Sequence, residues 1–386
     1  MLYRKIGRTG IDVSILGFGC MRLPIVGTTD PMANMNPDSK IDEAEAQRMV
    51  DRAIELGINY FDTAYGYHNG KSEPFVGKAL KEVRDEVYIA TKLPMWLIET
   101  PEDCVRIFNE QLERLQTDHI DLYLMHGLNA RNWQKIKDMD IMSFVDGLVS
   151  EGRVKFVGFS FHDNIKVFRE IVDGYNWSFC QIQYNYYDEH YQAGREGLEY
   201  AAGKGLGVIV MEPLRGGRLT NNIPQDIQAM FDSAEPKRSP AEYALRWVWN
   251  HPEVSLLLSG MSAMDQLTEN AQIANRGEAN SLAQAELELI GQIKDRFREL
   301  LKVDCTACAY CMPCPNGVDI PTNLSIYNDV FIFGDDRMSK MRYNRFMAPE
   351  VTAANCVECG DCEELCPQGI EVSKVMKKVH ERLSEE

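Results

Sequence analysis

The stretch Val87-Tyr-Ile-Ala-Thr-Lys92, followed by Ile120-Asp-Leu-Tyr-Leu-Met-His126, decides the fold. Each is a short run of mostly apolar, β-favouring residues that ends on an ionisable side chain. Between them Pro101–Leu115 has the periodicity of an amphipathic helix. Strands that read as near-continuous apolar runs belong to a parallel sheet buried on both faces, with helices as the crossovers.

The same unit recurs in both directions along the chain. Further strands are expected at Leu16–Gly19, Asn59–Asp62, Val154–Phe159, Phe179–Ile182, Val208–Glu212 and Val254–Ser259. Helical patterns cover Glu43–Leu56, Trp133–Glu151 and Pro240–Asn250. Eight strand–helix units over about 300 residues predict an α/β fold, a (β/α)8 TIM barrel. An open doubly wound sheet is the alternative, disfavoured because no G-x-G-x-x-G follows an early strand. Tyr3–Ile6 and Asp12–Ile15 flank Gly7-Arg-Thr-Gly10 and read as an N-terminal hairpin. Ser281–Leu300 reads as one more helix after the last unit.

The 386 residues are enough for one large and one small domain, with a boundary expected between residues 1–300 and 301–386. The formal net charge of −17 argues against nucleic acid or an anionic membrane surface as a partner. No apolar run approaches the roughly 20 residues of a membrane span, and Met1–Gly10 has no apolar core of a secretory signal. A cytoplasmic location is expected, where clustered thiols bind metal rather than pair.

Eight of the eleven cysteines form two runs. The first contains Cys305, Cys308, Cys311 and Cys314; the second contains Cys356, Cys359, Cys362 and Cys366. Both end in Cys-Pro, the ligand grammar of [4Fe–4S] ferredoxins, in which the fourth cysteine of each run ligates the other cluster. Two [4Fe–4S] clusters in a small ferredoxin-like domain are expected. Exchange would join Cys305, Cys308 and Cys311 with Cys366, and Cys356, Cys359 and Cys362 with Cys314. Local quartets, a single cluster at the second run, and zinc are the alternatives. The spacing is regular in the second run, whereas only two residues separate Cys311 from Cys314. Ile320–Phe333 and Met338–Phe346 between the runs read as helices. Cys20, Cys104 and Cys180 stand alone and read as small core residues.

In a parallel barrel the reactive groups gather at the C-terminal ends of the strands. Here those ends carry Asp62, Lys92, His126, Ser160, Gln181, Glu212 and Ser259. Taken singly, each could be a core or capping residue. Phe61-Asp-Thr-Ala-Tyr-Gly-Tyr67 resembles a signature of the aldo/keto reductases. Ile89-Ala-Thr-Lys92, Asp121–His126, Gly158-Phe-Ser160, Gln181–Asn185, Pro213-Leu214 with Gly216-Gly217, and Gln266–Asn270 continue the resemblance in order over about residues 1–300. The whole chain resembles the bacterial branch of that family with a C-terminal ferredoxin-type domain.

The resemblance implies an oxidoreductase that reduces a small-molecule carbonyl, or oxidises an alcohol, with NAD(P)H. Tyr67 would be the general acid, Lys92 would lower its pKa, Asp62 would hold Lys92, and His126 would orient the carbonyl. Ser160 and Gln181 would meet the nicotinamide carboxamide, with Met211 covering the ring. Gly216 and Gly217 would approach the pyrophosphate. Ser259, Gly260, Gln266, Glu269 and Asn270 would lie at the adenosine end. Gly260 and Gln266 stand where NADP-preferring members place cations, so weaker discrimination for NADPH is expected, with NADH preference and NADPH use both left open; Lys204, Arg215 and Arg218 are the cations that could substitute. Cys20, Met21, Tyr65, Trp96, Tyr186 and Tyr187 could line an apolar mouth. Hydride and single-electron chemistry need a converter such as a flavin, and no flavin signature is visible. The clusters would then be structural or serve a redox protein partner. An electron-transfer protein on a non-catalytic barrel is the competing reading.

Overall fold

In the computed structural model, residues 1–29, 33–36, 38–221, 223–305, 310–334 and 336–385 are described. Cys308 lies outside them. A two-stranded antiparallel hairpin, β1 (Tyr3–Lys5) and β2 (Asp12–Ser14), precedes eight barrel strands. These are β3 (Leu16–Gly19), β4 (Tyr60–Asp62), β5 (Tyr88–Pro94), β6 (Ile120–Leu128), β7 (Val154–Phe161), β8 (Phe179–Gln183), β9 (Gly207–Met211) and β10 (Val254–Ser259). They pair in parallel and in sequence order, and β10 closes the ring on β3. The strand assignments from the sequence hold to within two residues, and closure rules out the open sheet.

The ring is wrapped by α1 (Glu43–Glu55), α2 (Ser72–Ala79), α3 (Pro101–Leu115), α4 (Ala130–Asp138), α5 (Ile141–Ser150), α6 (Ile165–Gly174) and α7 (Gly194–Gly203). After β9 come α8 (Gln225–Ser233) and α9 (Pro240–Trp249), and after β10 comes α10 (Met264–Ala274). The helical pattern Trp133–Glu151 is two helices, not one. Asp140 adopts a left-handed backbone, φ 49°, and starts α5 with a new turn. Aspartate is among the few side chains that tolerate this conformation.

Strand alternation sends one set of side chains into the barrel and the other to the helices. Tyr60, Ala90, Leu122, Leu124, Phe179, Ile209, Leu256 and Leu258 form the inner core together with Ile6 and Val13 of the hairpin. The hairpin therefore stoppers the N-terminal end of the barrel. Its turn lies so close to the start of β9 that a Cβ on Gly7 would stand 2.3 Å from the Gly207 amide nitrogen. Arg4 fixes it further by donating to the carbonyls of His251, Val254, Trp249 and Gly277. Only the opposite end of the barrel remains for a site.

The chain divides into two compact units, Met1–Gly216 with Ala241–Ala283, and Gly217–Pro240 with Gln284–Glu386. The second unit takes in α8 as well as α11 (Gln284–Glu299), joined by an ion pair from Arg296 to Asp226 at 2.5 Å. Its other helices are α12 (Ile320–Phe333), α13 (Asp336–Met341), α14 (Asp361–Glu364) and α15 (Val372–Leu383). The expected helix Met338–Phe346 is the end of α13 continuing into a wider turn over Arg342–Phe346. α12 is buried on nearly every side and packs with α15 in a core that includes Leu324, Tyr327, Val330, Met376 and Val379. Arg218 and Arg342 both pair with Asp329, a buried residue of α12 itself.

Candidate active site

β4 delivers Asp62 at its last residue, and the chain then turns through Tyr67 into α2. The turn is held by its own backbone: Tyr67 N–H donates to Ala64 O, and the N–H groups of Gly70 and Ser72 donate to Tyr67 O. Ser72 clasps it by bonding Thr63 Oγ1 at 2.9 Å and donating to Cys20 O at 3.1 Å. His68 is buried, with Nε2 accepting from Leu23 N–H at 3.1 Å. Burial and the neighbouring Lys71 push its pKa down to about 4.

Lys92 on β5 is 1% exposed. A lysine ammonium has three donors, and here they reach Asp62 Oδ1 at 2.6 Å, Thr63 O at 2.8 Å and Tyr67 Oη at 3.4 Å. Burying an ammonium costs several kcal/mol unless it is paired. Burial pulls Lys92 down, but the Asp62 carboxylate and the Tyr67 oxygen outweigh it and hold the ammonium charged. Asp62 Oδ2 is buried without a hydrogen-bond partner.

Tyr67 departs from the sequence expectation. Lys92 acts on the phenol in the lowering direction, but burial exceeds it and Asp62 adds to burial, so the pKa stands above its ordinary value. Tyr67 is therefore a protonated acid at neutral pH. His126 on β6 is held well below its ordinary pKa by burial, Lys92 and His162, and is neutral. Its ring lies 6.2 Å from that of Tyr67, edge to face, and 4.8 Å from that of Trp96. Trp96 is half exposed and forms one wall of the mouth.

Behind Lys92 lies a polar layer that the sequence did not reveal. Glu73 of α2 is fully buried and accepts from Thr91 Oγ1 at 2.6 Å and Gln111 Nε2 at 2.9 Å. Gln111 also donates to Lys92 O at 3.0 Å and accepts from Tyr123 Oη at 2.9 Å. Arg114 completes the pair with Glu73 at 3.3 Å.

Further round the ring Ser160 and Gln181 are register partners on β7 and β8. Ser160 Oγ accepts from Gly127 N–H at 2.8 Å, and its hydroxyl proton has no acceptor among the described residues. Gln181 is 3% exposed, and its Oε1 is buried without a partner. One open donor beside one open acceptor is the complement of a primary amide, so the pair fits a nicotinamide carboxamide. Met211 is half buried at the end of β9. The turn after it places Arg215, Gly216 and Gly217 at φ 51°, 69° and 91°. Ser259 Oγ accepts from Asn270 Nδ2 at 3.1 Å, and Gln266 Oε1 accepts from Ser262 N–H at 3.0 Å. Gly260 and Glu269 are exposed. Lys204 pairs with Asp173 at 2.7 Å, Arg215 with Asp188 at 2.9 Å, and Arg218 with Asp329. The three cations that could substitute at the nucleotide end are thus each paired with a carboxylate. A fourth, Arg22, was missed and lies beside Gly216 and Gly260.

In the second unit Cys305, Cys311, Cys314, Cys356 and Cys362 pack, half buried, against the α12–α15 core. Cys305 and Cys311 of the first run share a cavity with Cys366 of the second, walled by Ile320, Leu324 and Pro367. Burial first, and then the charges of Glu363, Cys356 and Cys359, push the Cys362 thiol up to about 11. Among the described residues no three His, Cys, Asp or Glu side chains converge tightly enough to hold a single metal ion. The thiols of Cys305, Cys311 and Cys366 around one apolar-walled cavity fit an inorganic cluster held by several cysteines.

The fold and site define a barrel oxidoreductase joined to an iron–sulfur unit. The family model for the Aldo/keto reductase family matches residues 16–290, so the chain belongs to that family, whose members are NAD(P)-dependent oxidoreductases acting on small molecules. A 4Fe-4S dicluster domain matches residues 304–371. The chain is 28% identical over 319 residues to the uncharacterized oxidoreductase YqkF of Bacillus subtilis, covering 75% of this chain and 95% of that one. It is 25% identical to the NADH-specific methylglyoxal reductase of Escherichia coli, covering 70% and 92%. The holo form of aldo-keto reductase AKR11C1 from Bacillus halodurans superposes with a TM-score of 0.62 at 30% identity, covering 76% of this chain and 96% of that one. Among the described residues no helix is long and apolar enough to cross a membrane.

Proposed function

We propose that the barrel reduces the carbonyl of a small molecule, or runs the reverse alcohol oxidation, with NAD(P)H. The observation that carries this is the Lys92 ammonium, held between Asp62 Oδ1 and Tyr67 Oη. When bound, the dinucleotide supplies the hydride to carbon. Tyr67 gives its proton to the carbonyl oxygen, and the adjacent Lys92 charge stabilises the phenolate left behind. Asp62 keeps Lys92 in place, and neutral His126 orients the oxygen by a hydrogen bond. Acid catalysis of this kind is worth roughly 10²–10⁴-fold. Ser160 and Gln181 would fix the carboxamide, with Met211 beside the ring. Gly216 and Gly217 would face the pyrophosphate, and Ser259, Gly260, Gln266, Glu269 and Asn270 the adenosine end. The preference is for NADH, supported by the lack of a cation at Gly260 and Gln266 and by the NADH specificity in the name of the Escherichia coli relative.

Catalysis is proposed for residues 1–300 and electron handling for 301–386. Two [4Fe–4S] clusters are assigned: Cys305, Cys308 and Cys311 with Cys366, and Cys356, Cys359 and Cys362 with Cys314. The cavity shared by Cys305, Cys311 and Cys366 supports this exchange over local quartets. A redox protein in the cytoplasm would be the electron partner.

Tyr67→Phe tests the catalytic reading. NADH should bind with unchanged affinity while carbonyl turnover falls at least about 100-fold; turnover at the wild-type rate overturns it.

A further inference from the structure

β3 ends at Gly19, and the turn Cys20–Arg22 follows it at the open end of the barrel. The strand order β9–β10–β3 brings the loops after those three strands side by side. Arg22 reaches across all three. Its Nη1 donates to Gly216 O, after β9, at 3.0 Å. Its aliphatic stem lies over Gly260, after β10, where a Cβ would meet Cδ at 3.2 Å. A Cβ on Gly216 would meet Nη2 at 3.1 Å. Two positions without side chains thus flank the Arg22 side chain, Gly260 at its stem and Gly216 at its guanidinium.

Its charge is the unusual part. Lys92, Lys204, Arg215 and Arg218 each contact a carboxylate. Arg22 has no carboxylate within ion-pair distance among the described residues and gives one of its five donors to a carbonyl. Burial disfavours its charge, and the more distant, exposed Glu212 only partly compensates. A desolvated cation with unused donors is an anion site awaiting its anion.

We infer that Arg22 binds the pyrophosphate of the dinucleotide, a contact made from the first barrel loop. The inference rests on the dinucleotide reading above. It makes Arg22 a general nucleotide anchor that does not distinguish NADH from NADPH, because both carry the pyrophosphate.

The test is calorimetric titration of the full chain with ADP-ribose, NADH and NADPH at low and high salt, using wild type, Arg22→Gln and Arg22→Lys. Arg22→Gln should weaken all three ligands by the same factor, about 10- to 100-fold, and flatten the salt dependence of binding. Arg22→Lys should recover part of the loss. A strut that merely bonds Gly216 O would lower the melting temperature of Arg22→Gln but leave affinity and salt dependence unchanged, and that result overturns the inference. Selective loss of NADPH also overturns it, by moving the contact to the 2′-phosphate. Should Arg22→Gln not fold, no salt dependence of binding in wild type overturns it equally. Failure of wild type to bind any of the three defeats the dinucleotide reading itself, whereas binding that Arg22 does not influence defeats only the present assignment.

Discussion

The two units hold their reactive groups in different ways. The barrel carries Lys92, His126, Ser160 and Gln181 on strands fixed by neighbours on both sides. The second unit carries its cysteines on loops before α12, α14 and α15 and, for Cys362, in the four-residue α14, half buried or exposed. A strand-borne site is organised by the same hydrogen bonds that make the fold, so it stands ready without its ligand. A loop-borne site borrows order from what it binds, because metal affinity and folding are coupled. The barrel should therefore tolerate loss of its cofactor, and the cysteine unit should not.

The largest expected effect isolates the barrel. Lys92→Met removes the charge beside Tyr67 and should cut turnover on the order of 10²–10⁴-fold, with iron and sulfide content unchanged. A fall in iron content would show that the two sites are not independent. The converse experiment removes iron with a chelator under anaerobic conditions. The segment from about residue 300 to 370 should become open to protease while the barrel's thermal transition stays in place. Loss of both together would erase the contrast.

A smaller effect should come from the layer behind the lysine strand. Glu73→Ala strands Gln111, Thr91 and Arg114, and removing one partner of a buried ion pair costs about 3–5 kcal/mol. The barrel's denaturation midpoint should fall, with no change in cluster absorbance. The smallest effect is a pH dependence. His68 has its folded pKa near 4, below the ordinary 6.5. The unfolded chain therefore binds the extra proton first, and stability should decline as pH falls from about 6.5 to about 4, then level off, by about 1–3 kcal/mol in all. His68→Gln, which can still accept from Leu23, should flatten that slope in the barrel's melting curve.

The same contrast explains what could be read in advance. Barrel strands such as β6 and β10 were legible because burial on both faces leaves an unbroken apolar run. Asp62, Lys92 and His126 were legible because each ends such a run. The helix break at Asp140 was not, since no Gly or Pro marks it. Glu73, Gln111 and Arg114 look like ordinary helix-surface residues; only the approach of α2 to α3 buries them, where a Cβ on Gly77 would stand 2.5 Å from the Leu115 carbonyl carbon. Arg22 was missed because its significance depends on loops some 190 and 240 residues away in sequence. The cysteines were legible as a set, but spacing alone could not sort them into groups.

The cavity lined by Cys305, Cys311 and Cys366 bears on how the protein is made. During synthesis, residues 305 and 311 emerge well before residue 366, so the first run waits with its thiols uncovered while α12 and the intervening turns are translated. Iron delivered early would find three of four ligands. Assembly of that compartment is therefore a post-translational event for most of the chain, and a message truncated between codons 314 and 366 would yield the barrel strands beside a thiol-rich stub exposed to oxidation.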